Sequence, residues 1–200
     1  MRTVYLVRHG LHAEVGRVLS GRSAIGLNAA GRGQAAWLAR RFADLPLNAI
    51  YASPQARAIE TAEPIARRHG LPVTTHIGLA ELDFGAWAGQ AFDALEGDPR
   101  WQEWNRVRGR CSAPAGETMG AAVTRARALL DTVDAAQVVC VSHCDIIRGV
   151  VASYIGLDLD HMLGFDCDPG SVTTLMLHEG GGRVKTLNER PLAGSDGGHT

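Results

Sequence analysis

Charge of either sign is nowhere in excess in this chain. Its 200 residues hold 20 Lys and Arg against 21 Asp and Glu, a formal net charge of −1. No global field draws it to nucleic acid or to an anionic membrane, so any bound anion must be held by local cations. There is no basic stripe that would read a nucleic acid. Long apolar runs are absent too. Nothing approaches a membrane span, and the opening MRTVYLV lacks the h-region of a secretory signal. The four cysteines, Cys111, Cys140, Cys144 and Cys167, include no CxxC pair. The expectation is therefore a reduced, cytoplasmic chain, with Cys144 a small packing residue. No internal repeat appears.

What is present reads as one domain. Hydrophobic residues make up 46% of the chain and charged residues 20%, ordinary for a globular protein with a sizeable core. The length fits a single domain over 1–200 with an insertion. The Gly- and Ser-containing end, 190–200, is expected to be a flexible tail.

Short apolar runs at Thr3–Val7, Ala49–Ala52, Gln137–Ser142 and Ser171–Leu177 read as strands, with Arg183–Leu187 paired to the last. Helical spacing marks Gly31–Asp44, the segment from Ser53 to Arg68, Thr118–Val133 and Asp145–Ile155. Ser53-Pro54 reads as a helix start, with Ser as N-cap and Pro in the first turn. Pro64 inside that helix predicts a kink or a tolerated defect. The alternation predicts an α/β fold. It is a three-layer αβα sandwich with a mostly parallel central sheet and helices on both faces. The stretch from about 80 to 117 breaks the rhythm. It holds Trp87, Trp101 and Trp104 among several glycines, and reads as an inserted lid with Trp101 and Trp104 in its core.

Ligands of open α/β sheets bind beyond the carboxyl ends of strands. Two strands end in histidine, at Arg8-His9-Gly10 and at Ser142-His143, and a third ends just before Arg57. Two arginines and two imidazoles at one point make an anion site, since a guanidinium fork matches phosphate oxygens. A neutral imidazole there can also attack phosphorus. Gly10 would let the backbone turn tightly. Cleavage of a phosphoester needs a proton for the leaving alkoxide. Glu81 is the candidate acid, with Asp83 its competitor.

These residues fall in a recognisable order. Arg8-His9-Gly10 resembles the RHG signature of the histidine phosphatase superfamily, also called phosphoglycerate mutase-like. Gly21-Arg22, the run Leu27 to Ala35, Ser53-Pro54-Gln55-Ala56-Arg57 through Ala62, Glu81 with Gly85, Trp87 and Gly89, Pro114-Ala115-Gly116-Glu117, and Val141-Ser142-His143 resemble its other motifs in register. The resemblance implies His9 as the phosphorylated nucleophile. It gives Arg8, Arg57 and His143 to the phosphoryl oxygens and Glu81 to the proton, with neither metal nor cofactor. Arg22 and His12 are the further substrate-binding candidates. His12 stands where the family often has Thr and is expected to replace a missing pocket donor.

The implied activity is a metal-independent phosphomonoesterase acting on a small phosphorylated metabolite. The partner expectations are no nucleic acid, no membrane, and a monomer or homodimer. Three narrower or rival readings stand beside it: a phosphoglycerate mutase-type phosphotransferase, an α-ribazole phosphatase, and a non-catalytic phospho-ligand binding module.

Overall fold

The apolar run near the N-terminus becomes β1, Arg2–Arg8, with neighbours on both sides in the sheet. Its alternate residues face opposite ways, as the strand period of two requires. Val4 and Leu6 join one hydrophobic cluster, Tyr5 and Val7 the other. The protein, a computed structural model describing residues 1–191, is thus a three-layer αβα sandwich around this strand. The remaining strands are β2 Ala49–Ala52, β3 Val73–Thr75, β4 Gln137–Ser142, β5 Val172–His178 and β6 Gly181–Glu189. They lie in the order β3-β2-β4-β1-β5-β6. β1 to β4 are parallel, and β5 and β6 run antiparallel at one edge.

Helices α1 (Ala29–Arg41) and α2 (Ala56–His69) cover the face built on Tyr5, Val7, Val139 and Val141. Helices α5 (Met119–Thr132) and α6 (Cys144–Ile155) cover the other. The 80–117 insertion carries two short helices, α3 Phe92–Glu96 and α4 Pro99–Arg106. Its tryptophans do form a core. Trp101 and Trp104 stack with centroids 5.2 Å apart, and Trp87 meets both edge-on. Such contacts add roughly 0.5–1.5 kcal/mol each beyond the area they bury. Trp87 and Trp104 also belong to the same buried cluster as α5 and α6, so the insertion is continuous with the domain core.

Several local expectations change. Helix α2 starts at Ala56, behind Gln55, so Ser53 is not its N-cap and Pro54 lies outside it. The Ser53 hydroxyl instead donates to Gln55 Oε1 and accepts from His143 Nε2–H. Pro64 sits inside a helix that continues past it to His69. Helix α1 starts earlier than its apolar spacing suggests, because Asn28 Oδ1 accepts from Gly31 N–H and caps it. The edge strand β3 has only three residues, too short for any periodicity to announce it. Of the expected tail, Arg190 pairs with Asp168 at 2.7 Å. Residues 192–200 lie outside the described residues. Among the described residues no helix is long and apolar enough to cross a membrane.

Helix α1 is locked onto the loop that follows β1. A Cβ built on Gly31 would lie 2.1 Å from the carbonyl oxygen of Leu11, and one on Gly10 2.7 Å from that of Gly31. Gly10 is therefore required by close approach of backbone to backbone rather than by an unusual turn. Gln34 finishes the clamp, accepting from Leu11 N–H at 2.8 Å and donating to Pro169 O at 2.9 Å. Gly31→Ala should destabilise the protein by about 1–3 kcal/mol, the usual range for forced overpacking. Gly33→Ala, in the same helix with nothing among the described residues within 4 Å of a new Cβ, should be neutral to stabilising. Urea unfolding of the two variants beside wild type decides between them.

Candidate active site

The carboxyl ends of β1 and β4 are adjacent and in register, with Arg8 opposite Ser142. The next residue of each strand is a histidine, and His9 N–H donates to Ser142 O at 3.0 Å. The two imidazole centroids therefore sit 5.1 Å apart. His9 is 3% exposed and His143 is fully buried. His9 Nδ1 donates to its neighbour's carbonyl, Gly10 O, at 2.8 Å. That bond holds the proton on Nδ1 and leaves the Nε2 lone pair free. Burial, with the charges of Arg57 and Arg8 behind it, pushes His9 well below the ordinary histidine range. His9 is thus a neutral imidazole with one unprotonated nitrogen.

Arg57, in the first turn of α2, reaches the same point from the β2 end and is 1% exposed. Its guanidinium donates to Gly21 O at 2.6 Å and Ser23 O at 3.1 Å, and one NH2 lies 3.2 Å from His143 Nδ1. With Nδ1 accepting there, His143 Nε2–H donates to Ser53 Oγ at 2.7 Å and Gln55 Oε1 at 3.1 Å. Burial first, then His9 and Arg57, keeps His143 neutral as well. Arg8 is held by Cys167 O at 2.6 Å. Among the described residues, the buried Nε atoms of Arg8 and Arg57 have no hydrogen-bond partner.

Glu81 closes the ring, with Oε2 3.7 Å from His143 Nδ1. Burial, then the nearby charge of Asp145, raises its pKa to about 8. It holds a proton at neutral pH, as a general acid must. Asp83 does not compete. Its carboxylate takes Gly85 N–H at 3.0 Å and faces Arg22 at 3.4 Å, away from the cleft.

Arg22 is not among the cleft-lining residues either. It donates to Glu81 O at 2.9 Å and pairs with Asp83 and Glu117. The expected substrate contact is thus a tie on the backbone of the acid. Arg125 is a second tie, donating to Glu81 O at 3.2 Å and gripping Glu117 through 2.7 and 3.0 Å bonds. Thr118 caps α5, which frees Glu117 to be the hub of this network.

His12 does line the cleft, with its ring 5.2 Å from that of His9. Its Nδ1 accepts from Glu14 N–H at 3.3 Å, leaving Nε2 as a donor. Burial, then Arg57, lowers its pKa to about 4, so it donates as a neutral group.

The cleft encloses about 550 Å³ and reaches outward past Phe92, Trp101, Asn105, Arg108, Asp145 and Asp168. Sequence reasoning missed three contributors. Asp145 acts on Glu81 through its charge. Arg108 is buried over the Trp104 ring at 4.0 Å and pairs with Asp145 at 2.8 Å. Thr61 accepts from Gly10 N–H and donates to Arg57 O, joining the two halves of the site. Only Thr61 carried a signal, as part of the Ser53–Ala62 motif. Among the described residues no group of three or more His, Cys, Asp or Glu is placed to hold a metal ion.

The buried acid also sets a stability signature. Folded, Glu81 keeps its proton up to about pH 8, whereas its ordinary value is 4.5. Between those values the folded state binds more protons than the unfolded chain, so Glu81 lowers stability as pH rises. In Glu81→Gln that slope should vanish. Relative to wild type, the variant should gain nothing below pH 4.5 and on the order of a few kcal/mol by pH 8. Denaturant midpoints measured across that range test it.

Comparison with known proteins agrees with this geometry. A family model, "Histidine phosphatase superfamily (branch 1)", matches residues 4–190. An uncharacterised protein of Mycobacterium tuberculosis is 33% identical over 205 residues, covering 95% of this chain and 96% of its own. Phosphoserine phosphatase 1 of Hydrogenobacter thermophilus is 29% identical over 168 residues, 81% of this chain and 80% of that one. The solved structure of a phosphoserine phosphatase mutant from Entamoeba histolytica, in complex with phosphoserine, superposes with a TM-score of 0.80. It is 26% identical and covers 94% of this chain and 97% of that one. A match that spans nearly every described residue, around two histidines and two arginines at the ends of parallel strands, places this chain in the histidine phosphatase superfamily, branch 1.

Proposed function

We propose that this protein hydrolyses a small phosphomonoester in two steps through a phosphohistidine on His9. The observation that carries the proposal is the pairing of a neutral His9, its Nε2 unprotonated, with a protonated Glu81 across the same cleft. In the first step Nε2 bonds to phosphorus, the bond to the alcohol oxygen breaks, and Glu81 gives its proton to the departing alkoxide. In the second, Glu81 as carboxylate takes a proton from water. The water oxygen bonds to phosphorus, the P–N bond breaks, and inorganic phosphate leaves with Glu81 protonated again.

Arg8, Arg57 and His143 stabilise the phosphoryl charge, and His12 Nε2–H adds a donor. Fixed cations and donors supply the electrostatics that a metal provides elsewhere. The outer cleft has aromatic walls at Phe92 and Trp101 and charges of both signs at Arg108, Asp145 and Asp168. This suits a small polar alcohol. Phosphoserine, the substrate named for the Hydrogenobacter and Entamoeba relatives, carries both an amino and a carboxylate group.

A phosphoglycerate mutase-type transfer shares the first step and differs in returning the phosphoryl group to a metabolite. Release of free phosphate separates the two. An α-ribazole phosphatase has the same chemistry with a bulkier alcohol. Presence of both nucleophile and acid, in place, argues against a binding module alone.

Turnover of p-nitrophenyl phosphate should survive EDTA and fall by about 10³-fold or more in His9→Ala, the scale of losing a covalent nucleophile. The ratio kcat/KM should decline as pH rises through about 8, where Glu81 loses its proton, and Glu81→Gln should remove that limb. Inactive wild type, or full activity in His9→Ala, would sink the reading. A panel of phosphoserine, phosphoglycerates, sugar phosphates and α-ribazole phosphate then narrows the substrate. His12→Ala should raise KM on the best of these about tenfold, the worth of one lost hydrogen bond. Unchanged KM and kcat would remove His12 from the site.

A further inference from the structure

Two of the four cysteines meet beside the cleft, although nothing in their spacing, 144 and 167, suggests it. Cys144 is the first residue of α6, directly after His143, and lines the cleft with Arg8, His9 and Glu81. Cys167 is buried in the segment that leads into β5. As a thiol, Cys144 reaches Cys167 O at 3.6 Å, and the charge on Cys144 is felt by the Cys167 thiol. Arg8 and Arg148 flank the pair. Arg8 binds Cys167 O at 2.6 Å, and Arg148 binds Phe165 O at 3.0 Å.

The two thiols are electrically unequal. The hydrogen bond from Cys167, helped by Arg8, lowers Cys144 to about 7, whereas that same bond and burial raise Cys167. The start of the 12-residue helix α6 favours a thiolate further. The other cysteines lack this setting. Cys140 is buried in β4 with its thiol pushed up to about 12, and Cys111 lies in the insertion.

We infer that Cys144 and Cys167 form a redox dithiol, whose oxidation by hydrogen peroxide to a disulfide shuts the anion cleft. The Cys144 thiolate attacks a peroxide oxygen and the O–O bond breaks, giving a sulfenic acid and releasing hydroxide, which takes a proton to become water. The Cys167 sulfur then attacks the Cys144 sulfur. The hydroxyl leaves as water with the Cys167 proton, and the S–S bond forms. Two thiols lose two electrons in all, and one peroxide is reduced to two waters.

The sulfurs contract to about 2.05 Å in the bond. That movement pulls on the carbonyl that holds Arg8 and on the helix turn that follows His143. The segment also touches the nucleophile's own backbone, since Gly170 N–H donates to both Arg8 O and His9 O at 3.1 Å. Reduction restores the pair. The loss of turnover rests on the phosphatase reading, but bond formation and anion affinity do not.

The test uses the full chain, reduced and then treated with hydrogen peroxide. After free thiols are blocked, intact mass should show one disulfide. Trypsin should yield peptide 128–148 linked to 149–183, and fragmentation should assign the bond to Cys144 rather than Cys140. Affinity for inorganic phosphate and turnover of p-nitrophenyl phosphate should each fall at least tenfold and recover with dithiothreitol. The ratio of oxidised to reduced activity should return to near one in Cys167→Ser and, as a second variant should that one fold poorly, in Cys144→Ser. Absence of the Cys144–Cys167 bond in the peroxide-treated chain overturns the inference. So does a mapped bond that leaves phosphate affinity intact. A reduced chain that binds phosphate but turns over no ester would instead overturn the phosphatase reading, with the dithiol decided by mass and affinity alone.

Discussion

The in-register parallel pairing of β1 with β4 is the constraint on which the site depends. Six consecutive residue pairs, ending at Arg8 with Ser142, bring the last residues of the two strands level. The chain then puts a histidine after each. The bond from His9 N–H to Ser142 O fixes the two backbones that carry the imidazoles. A one-residue slip of either strand would also turn its apolar residues to the wrong faces, so the two-sided core enforces the register.

Two imidazoles and two guanidiniums in one buried space would repel if all were charged. The fold resolves this by keeping both histidines neutral and tying the arginines to backbone carbonyls. Glu81 is treated in the opposite sense, kept protonated by burial and by Asp145. The result is a pre-set arrangement of donors, one lone pair and one proton, which the proposed phosphoryl transfer would need to reorganise little. Among the described residues the Nε atoms of Arg8 and Arg57 have no hydrogen-bond partner, so each retains a donor.

Around this centre the remaining motifs are supports. Gly31 and Gln34 hold the loop after His9, and Thr61 links that loop to Arg57. Gly85 and Gly116 allow the segments after Glu81 and before Glu117 to touch. A Cβ on Gly85 would lie 2.1 Å from Pro114 O, and one on Gly116 2.3 Å from Asp83 O. Glu117 is thereby brought between Arg22 and Arg125, which both hold the carbonyl of Glu81.

The layers, and the residue types gathered at the strand ends, are legible in the sequence alone. Apolar runs of strand length, helical spacing and histidines at strand ends are local properties, legible one segment at a time. The apolar runs Ala49–Ala52 and Gln137–Ser142 coincide with β2 and β4, and Arg8, His9, Arg57 and Glu81 lie at one cleft, with His143 5.1 Å from His9. Tertiary structure alone decided what depends on partners far along the chain. It brought Ser53 to both Gln55 and His143, and tied Arg22 to the backbone of Glu81. It made Gly10 a contact glycine, set Asp145 beside Glu81, and joined Cys144 to Cys167. A hydrogen bond, a close approach or a pKa is fixed by the atom across the gap, and neither spacing nor composition says which residue will supply it.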